Sequence, residues 1–239
     1  AKFIVIEASS HALEQGRLGI LRFEYAVFTN IKRDHLDYHK TWDNYALSKA
    51  RLISRLKRKG KTIINKDDYN SLTFLQKYKV PKIFYSKYQE VSKIKFSNTG
   101  ITFEYKGTNF SLNILGEYNI ENALAAIKIL EEMNVSLKEI SKALSSFKGL
   151  EGRMEIIYNG QFTAIVDFAH NTDSLIQSLN SAKTLSANGR IITVFGSAGL
   201  RDKEKRFEMG KASGEIADIT VVTAEDPRTE KLYNINSEI

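Results

Sequence analysis

Three short polar clusters carry the residue types able to do chemistry: "EASSH" (residues 7–11), "TNIKRDHLDYH" (29–39) and "DFAHNTD" (167–173). All four histidines of the chain, His11, His35, His39 and His170, fall in these clusters. Glu7 and His35 each follow an apolar run, so a carboxylate and an imidazole would project from strand ends. That pair could share a divalent cation, since magnesium accepts one carboxylate completed by waters and phosphate oxygens. The plainer alternative makes Glu7 a partner of a helix N-terminus and His35–Asp37 a hydrogen-bonded loop pair. Spacing alone leaves both open. Ser9, Ser10 and His11 are sequence neighbours, the wrong geometry for a serine–histidine couple, and no G-x-S-x-G elbow occurs. His35-x-x-x-His39 has a metal-like spacing but lacks the glutamate of H-E-x-x-H. "FGSAGLRD" is glycine-poor for a dinucleotide loop.

The elements that must position these clusters alternate between strand and helix. Lys2–Ile6 and Tyr25–Phe28 read as buried strands of a parallel sheet. Trp42–Leu56 has the spacing of an amphipathic helix, and "KTIIN", "DDYNSLTFLQKY" and "KIFYS" continue the alternation. A doubly wound, mostly parallel α/β sheet is expected, with ligands beyond the carboxyl ends of its strands. The rhythm then changes to a small antiparallel meander, "KIKFSNTGITFEYKGTNFSLNI", with turns at Asn98-Thr99-Gly100 and Lys106-Gly107. Two helices follow, "IENALAAIKILEEM" and "VSLKEISKALSSF". From Gly152 onward the order is strand "FTAIVDF", helix, strand "RIITVFG", helix "KRFEMGKASGEIA", strand "ITVVTA", a Rossmann-like series. The expected domains are residues 1–150 and 151–239.

With 239 residues the chain can fill two cores. Its net charge of +7 suits an anionic partner such as a nucleotide, or serves solubility. The lysines are scattered without interleaved aromatics, which disfavours nucleic acid. No apolar run reaches the roughly 20 residues of a membrane span. The absence of cysteine removes disulfides, zinc–thiolate sites and thiol nucleophiles, and fits a cytoplasmic location.

Taken together and in order, "EASSHALEQGRL", "FTNIKRDHLDYHKTWDNYALSKARL", "LGEYNIENALAAI", "GRMEII", "VDFAHNTDSL", "FGSAGLRDKEKRFEMG" and "TAEDPRTE" resemble the Mur ligase family, most closely its tripeptide-synthetase branch. The resemblance implies an ATP-dependent amide ligase of peptidoglycan precursor synthesis. Such an enzyme adds a diamino acid to UDP-MurNAc-L-Ala-D-Glu through an acyl phosphate. It further implies that Glu7 and His35 bind magnesium, and that Lys49, carbamylated, holds a second magnesium ion. Ser9, Gln15 and Arg17 would bind the UDP-substrate. Asn122, Arg153 and Asp167 would bind ATP at adenine, phosphates and ribose, with the "KEKR" segment (203–206) closing over the nucleotide. Arg201, Asp226 and Arg228 would take the incoming amino acid, meso-diaminopimelate in preference to L-lysine. The expected protein is a monomer that neither binds nucleic acid nor enters a membrane. The family's glycine-rich ATP loop does not occur in these residues, so the chain is expected to be an inactive piece of a longer enzyme. "AHN" leans instead towards folylpolyglutamate synthetases, and a non-catalytic nucleotide- or nucleic-acid-binding module is a further alternative.

Overall fold

The computed structural model describes residues 2–186 and 189–239, folded as two compact units. The first comprises Ala1–Glu90 and Glu121–Ser136. Its sheet has three parallel strands, β1 (Phe23–Phe28), β2 (Leu56–Asn65) and β3 (Lys82–Tyr85), in that order. Phe28 lies opposite Ile64, and Asn65 opposite Tyr85. Ala26, Ile63 and Ile64 are fully buried, as the near-continuous apolar runs of a covered parallel strand require. The helices of this unit are α1 (Ser10–Glu14), α2 (Leu36–His39), α3 (Trp42–Ala50), α4 (Tyr69–Leu75), α5 (Lys87–Glu90) and α6 (Tyr118–Glu132), the last contributing its residues from Glu121 on. Phe28, Ile31, Tyr45, Ala46, Phe74 and Leu75 form one core between sheet and helices.

Two expectations in this unit differ from the structure. Lys2–Ile6 is not a strand: the segment makes no ladder, and Phe3, Ile4 and Val5 are 70%, 74% and 97% exposed. Apolar character supplies the pattern of a buried strand, but a strand also needs a pairing partner on its backbone. The helix expected over Trp42–Leu56 stops at Ala50, and a 3-10 turn over Ile53–Arg55 leads into β2. Leu56 is drawn out of the helix by pairing with Phe23 on β1, tertiary pairing overriding local propensity.

The second unit comprises Val91–Ile120 and Leu137–Ile239. Its meander, β4 (Val91–Ser97), β5 (Gly100–Tyr105) and β6 (Thr108–Leu112), is antiparallel throughout. Lys106 and Gly107 both have positive φ, 48° and 75°, the signature of a two-residue type I′ hairpin turn. Phe103 and Phe110 face each other across the ladder and stack at 5.4 Å. Helix α7 (Leu137–Ser146) covers β6, with the Ser141 hydroxyl donating to the Asn109 carbonyl at 2.7 Å.

Further along are β7 (Glu155–Asn159), β8 (Thr163–Val166), α8 (Thr172–Ser186), β9 (Ile192–Phe195), α9 (Glu204–Ile216), β10 (Ile219–Val222) and α10 (Leu232–Ser237). β9 and β10 are parallel and joined through α9, a βαβ unit whose core holds Leu175, Leu179, Ile191 and Met209. The expected strand "FTAIVDF" exists as β8, but it pairs antiparallel with β7. The hairpin partner lies a few residues away, so closing that loop costs less chain entropy than reaching β9 across α8.

Candidate active site

Ile31, the buried residue at the start of the loop to His35, is held from both sides of its peptide. Asp68, the N-cap of α4, accepts from the Ile31 amide at 3.0 Å and from the Ser71 amide at 3.0 Å. The Trp42 indole donates to the Ile31 carbonyl at 3.1 Å. From this anchor the chain reaches His35, which sits at the start of α2 with φ 54°, a left-handed conformation uncommon outside glycine. The Asp34 carboxylate accepts the His35 amide at 2.8 Å and lies 3.7 Å from its Nε2. Burial holds the His35 imidazole below its ordinary pKa against the pull of Asp34, and the neighbouring His11 and Lys49 add to the lowering. A neutral imidazole keeps a lone pair available for a cation.

Lys49 lies in the last turn of α3 with its Nζ 5.4 Å from the Tyr45 ring centroid. Burial pushes its ammonium below the ordinary lysine value, while Asp34 and Glu7 oppose the shift. Glu7, Asp34, His35 and Lys49 therefore share one electrostatic neighbourhood, three of them the residues expected from sequence. Asp34 was missed, although its place directly before His35 in "RDH" was the available signal. Among the described residues no group of three or more histidines, acids or cysteines forms a ready metal cage. Glu7 and Asp34 both act on Lys49, and Asp34 and Lys49 both act on His35. A carboxylate suits magnesium, which retains several waters and takes substrate phosphate oxygens; an imidazole is its less typical ligand.

Beneath this neighbourhood lies an arrangement the sequence did not reveal. His39 is buried, with Nδ1 3.1 Å from Glu14 Oε2 and Nε2 2.9 Å from Ser10 Oγ. The neutral ring donates from Nδ1 to the carboxylate and accepts from the serine hydroxyl. A serine–histidine couple thus exists, but between Ser10 and His39 rather than within "SSH". Ser10 is 1% exposed, so its oxygen meets no substrate. The trio pins α1 to α2, and the Ser48 hydroxyl, donating to the Ser10 carbonyl at 2.7 Å, pins α1 to α3.

Around α1, Ser9 is the N-cap, accepting from the Ala12 amide at 3.1 Å, and keeps its hydroxyl proton to donate. The Gln15 amide donates to the Tyr38 hydroxyl at 3.4 Å, and Arg17 is exposed just beyond the helix. Asn122 is exposed on α6 in the first unit.

In the second unit Arg153 and Asp167 come together. Both bear on Tyr118, whose hydroxyl is pushed up to about 12 by burial and by Asp167, with Arg153 opposing. The Asp167 carboxylate accepts from the Met154 amide (2.8 Å), the Ala169 amide (2.9 Å) and the Ser178 hydroxyl (2.8 Å). The Arg153 guanidinium lies 4.3 Å over the Phe168 ring. His170 Nδ1 is 3.1 Å from the Phe168 carbonyl. Of the "KEKR" cations, Arg206 is fully buried in ion pairs and so does not face a nucleotide, Lys203, with an exposed side chain, lies 3.2 Å from Glu230, and Lys205 donates to the His170 carbonyl at 2.7 Å.

Arg201, Asp226 and Arg228 are exposed on two loops that are bonded together. Arg228 Nε donates to Asp226 at 3.4 Å, and the Gly199 amide donates to the Asp226 carbonyl at 2.8 Å.

The model of the Mur ligase middle domain matches residues 1–130, and that of the Mur ligase glutamate ligase domain matches residues 152–239. The chain belongs to the Mur ligase family. A UDP-N-acetylmuramoyl-L-alanyl-D-glutamate--2,6-diaminopimelate ligase from Fusobacterium nucleatum is 36% identical over all of this chain and 50% of its own length. The like-named protein of Aquifex aeolicus is 38% identical over the same shares. The chain thus spans about half the length of the curated relatives it matches. A solved structure of a ligase with the same name is 32% identical, with a TM-score of 0.61 over 97% of this chain and 50% of that one. The MurF ligase of Thermotoga maritima, solved in complex with ADP, has a TM-score of 0.73 over 92% of this chain at 16% identity, a likeness of fold alone. Among the described residues no helix is long and apolar enough to cross a membrane.

Proposed function

We propose that the protein is an ATP-dependent amide ligase joining meso-diaminopimelate to UDP-MurNAc-L-Ala-D-Glu, and that this chain contributes its metal, nucleotide and amino-acid sites. The observation that carries this is the half-buried Lys49, flanked by Glu7 and Asp34 and felt by His35. In the reaction the γ-phosphoryl of ATP passes to the substrate carboxylate, giving an acyl phosphate and ADP. The amine then attacks the acyl carbon, phosphate leaves, and the amine gives up a proton. Two anions must approach in the first step, so cationic groups have to face the developing charge.

Glu7 and His35 would hold one magnesium ion and Lys49, as its carbamate, a second. Magnesium, when bound, neutralises charge on phosphate oxygens. The lowered pKa of Lys49 enlarges its neutral fraction. The free amine adds to carbon dioxide, forming an N–C bond and losing a proton, which turns a cation into an anion. Arg153 supplies fixed positive charge for the ATP phosphates. Asp167, with three of its four acceptor positions used, keeps one for a ribose hydroxyl. Asn122 would meet the adenine, and Ser9, Gln15 and Arg17 the UDP-substrate. Arg201 and Arg228 suit the carboxylates of diaminopimelate, Asp226 its ammonium.

We assign residues 1–150 to the central domain and 151–239 to the C-terminal one, in a cytoplasmic monomer without nucleic-acid affinity. The test is phosphate release by the full-length protein given ATP, magnesium, UDP-MurNAc-L-Ala-D-Glu and a panel of diamino acids. Release dependent on diaminopimelate is expected. Release dependent on a folate and glutamate, or none with any diamino acid, overturns the assignment.

A further inference from the structure

Arg206 is the largest fully buried side chain among the described residues, and it lies in the first turn of α9. Its guanidinium forks onto Glu230, Nη1 to Oε1 at 2.9 Å and Nη2 to Oε2 at 2.9 Å. Nη1 also donates to Glu238 Oε2 at 2.5 Å, and Nη2 to the Ala198 carbonyl at 3.2 Å. With no exposed surface, this cation touches no ligand. A buried charge needs such pairing merely to persist, but the place of its partners adds a consequence.

Glu230 lies two residues beyond Arg228, and its Oε2 also accepts the amide of Leu200 at 3.0 Å, the residue before Arg201. One ion pair is therefore tied to both loops that carry the exposed arginines. The loops meet closely elsewhere too: a Cβ on Gly199 would stand 2.0 Å from the Pro227 carbonyl oxygen. Leu200 and Arg228 both hold left-handed backbones, φ 56° and 52°, which persist only under tertiary restraint. The Glu238 contact reaches α10's end and neither loop.

We propose that Arg206 and Glu230 are positioning residues that fix the separation of Arg201 and Arg228, and so select an amino acid bearing a second, distal carboxylate. This rests on the amino-acid role given above to Arg201 and Arg228. A guanidinium fork transmits direction as well as charge, which a lysine at the same place does not. The two arginines are thereby presented as a pre-set pair, and a substrate with carboxylates at both ends gains from both at once.

The experiment is steady-state kinetics on the full-length protein, wild type against Arg206→Lys, Glu230→Gln, Gly199→Ala and Glu238→Gln, with thermal melting of each. Arg206→Lys and Glu230→Gln should raise the KM for meso-diaminopimelate on the order of tenfold, with the KM values for ATP and UDP-substrate within about twofold. Their preference for diaminopimelate over L-lysine should shrink by a similar factor. Gly199→Ala adds a Cβ that would press chiefly on the Pro227 carbonyl and stand 3.2 Å from the Glu230 Cβ. It spreads the loops while leaving both charged groups of the ion pair in place, should show the same signature, and serves if an Arg206 variant does not fold. Glu238→Gln should lower the melting temperature while leaving the diaminopimelate KM unchanged. Equal rises in all three KM values, or the same diaminopimelate effect from Glu238→Gln as from Glu230→Gln, would reduce the network to general stability and overturn the proposal. A wild type that turns over lysine alone refutes the substrate assignment instead, and is distinguished by needing no variant.

Discussion

Lys49 is one helix-borne lysine among many in this chain, and only its surroundings set it apart. If its carbamate is the anion that holds the second magnesium, Lys49→Ala in the full-length protein should cut phosphate release by a factor on the order of 10² to 10³. A short carboxylic acid added to the assay should restore part of that loss by supplying the missing oxygens. No rescue in a folded variant contradicts the carbamate. His39 makes a different claim. Its ring is held neutral below the ordinary histidine value, chiefly by burial, with Glu14 pulling the other way. The unfolded chain protonates at a higher pH than the folded one, so the stability tied to this group is complete above about pH 6.5 and declines as pH falls below it. Urea midpoints of wild type and His39→Gln, compared from pH 8 to 5, should show the steeper decline in wild type. Parallel curves would remove His39 from the acid response.

Elements decide whether such residues meet at all. The loop to His35 is fixed at Ile31, and Asp68 caps α4 and holds that loop with one carboxylate. Asp68→Ala should cost about 1–2 kcal/mol from the cap alone, read as a drop in the unfolding midpoint. Asp68→Asn, which still caps, should cost less. Much of the scaffold was legible in sequence because its signals are local: the turn at Lys106-Gly107, the buried run of β1, the helices flanking it. Lys2–Ile6 was misread since apolar spacing reports burial preference but not the presence of a pairing partner. β8 was recognised as a strand, but its antiparallel partner β7 was not read, because pairing is a non-local choice that period-2 patterns do not encode. Glu7 and His35 stood out as candidates from their places in the polar clusters, whereas Lys49 was a candidate only through the ordered set of motifs. The Ser10–His39–Glu14 trio was not, since its members come from two helices separated by a strand.

At the scale of the molecule, the two compact units each carry part of the proposed chemistry: cation and UDP-substrate residues in the first, phosphate and amino-acid residues chiefly in the second. The central claim is that Glu7 and Lys49 act on one cation-dependent centre rather than as separate surface charges. A double-mutant cycle measures this directly, using the magnesium dependence of phosphate release by full-length wild type, Glu7→Gln, Lys49→Ala and the double variant. Residues serving one centre are non-additive, so the double variant should be about as impaired as the worse single one. Effects of the two substitutions that simply multiply, with magnesium dependence unchanged in each, would contradict a shared centre.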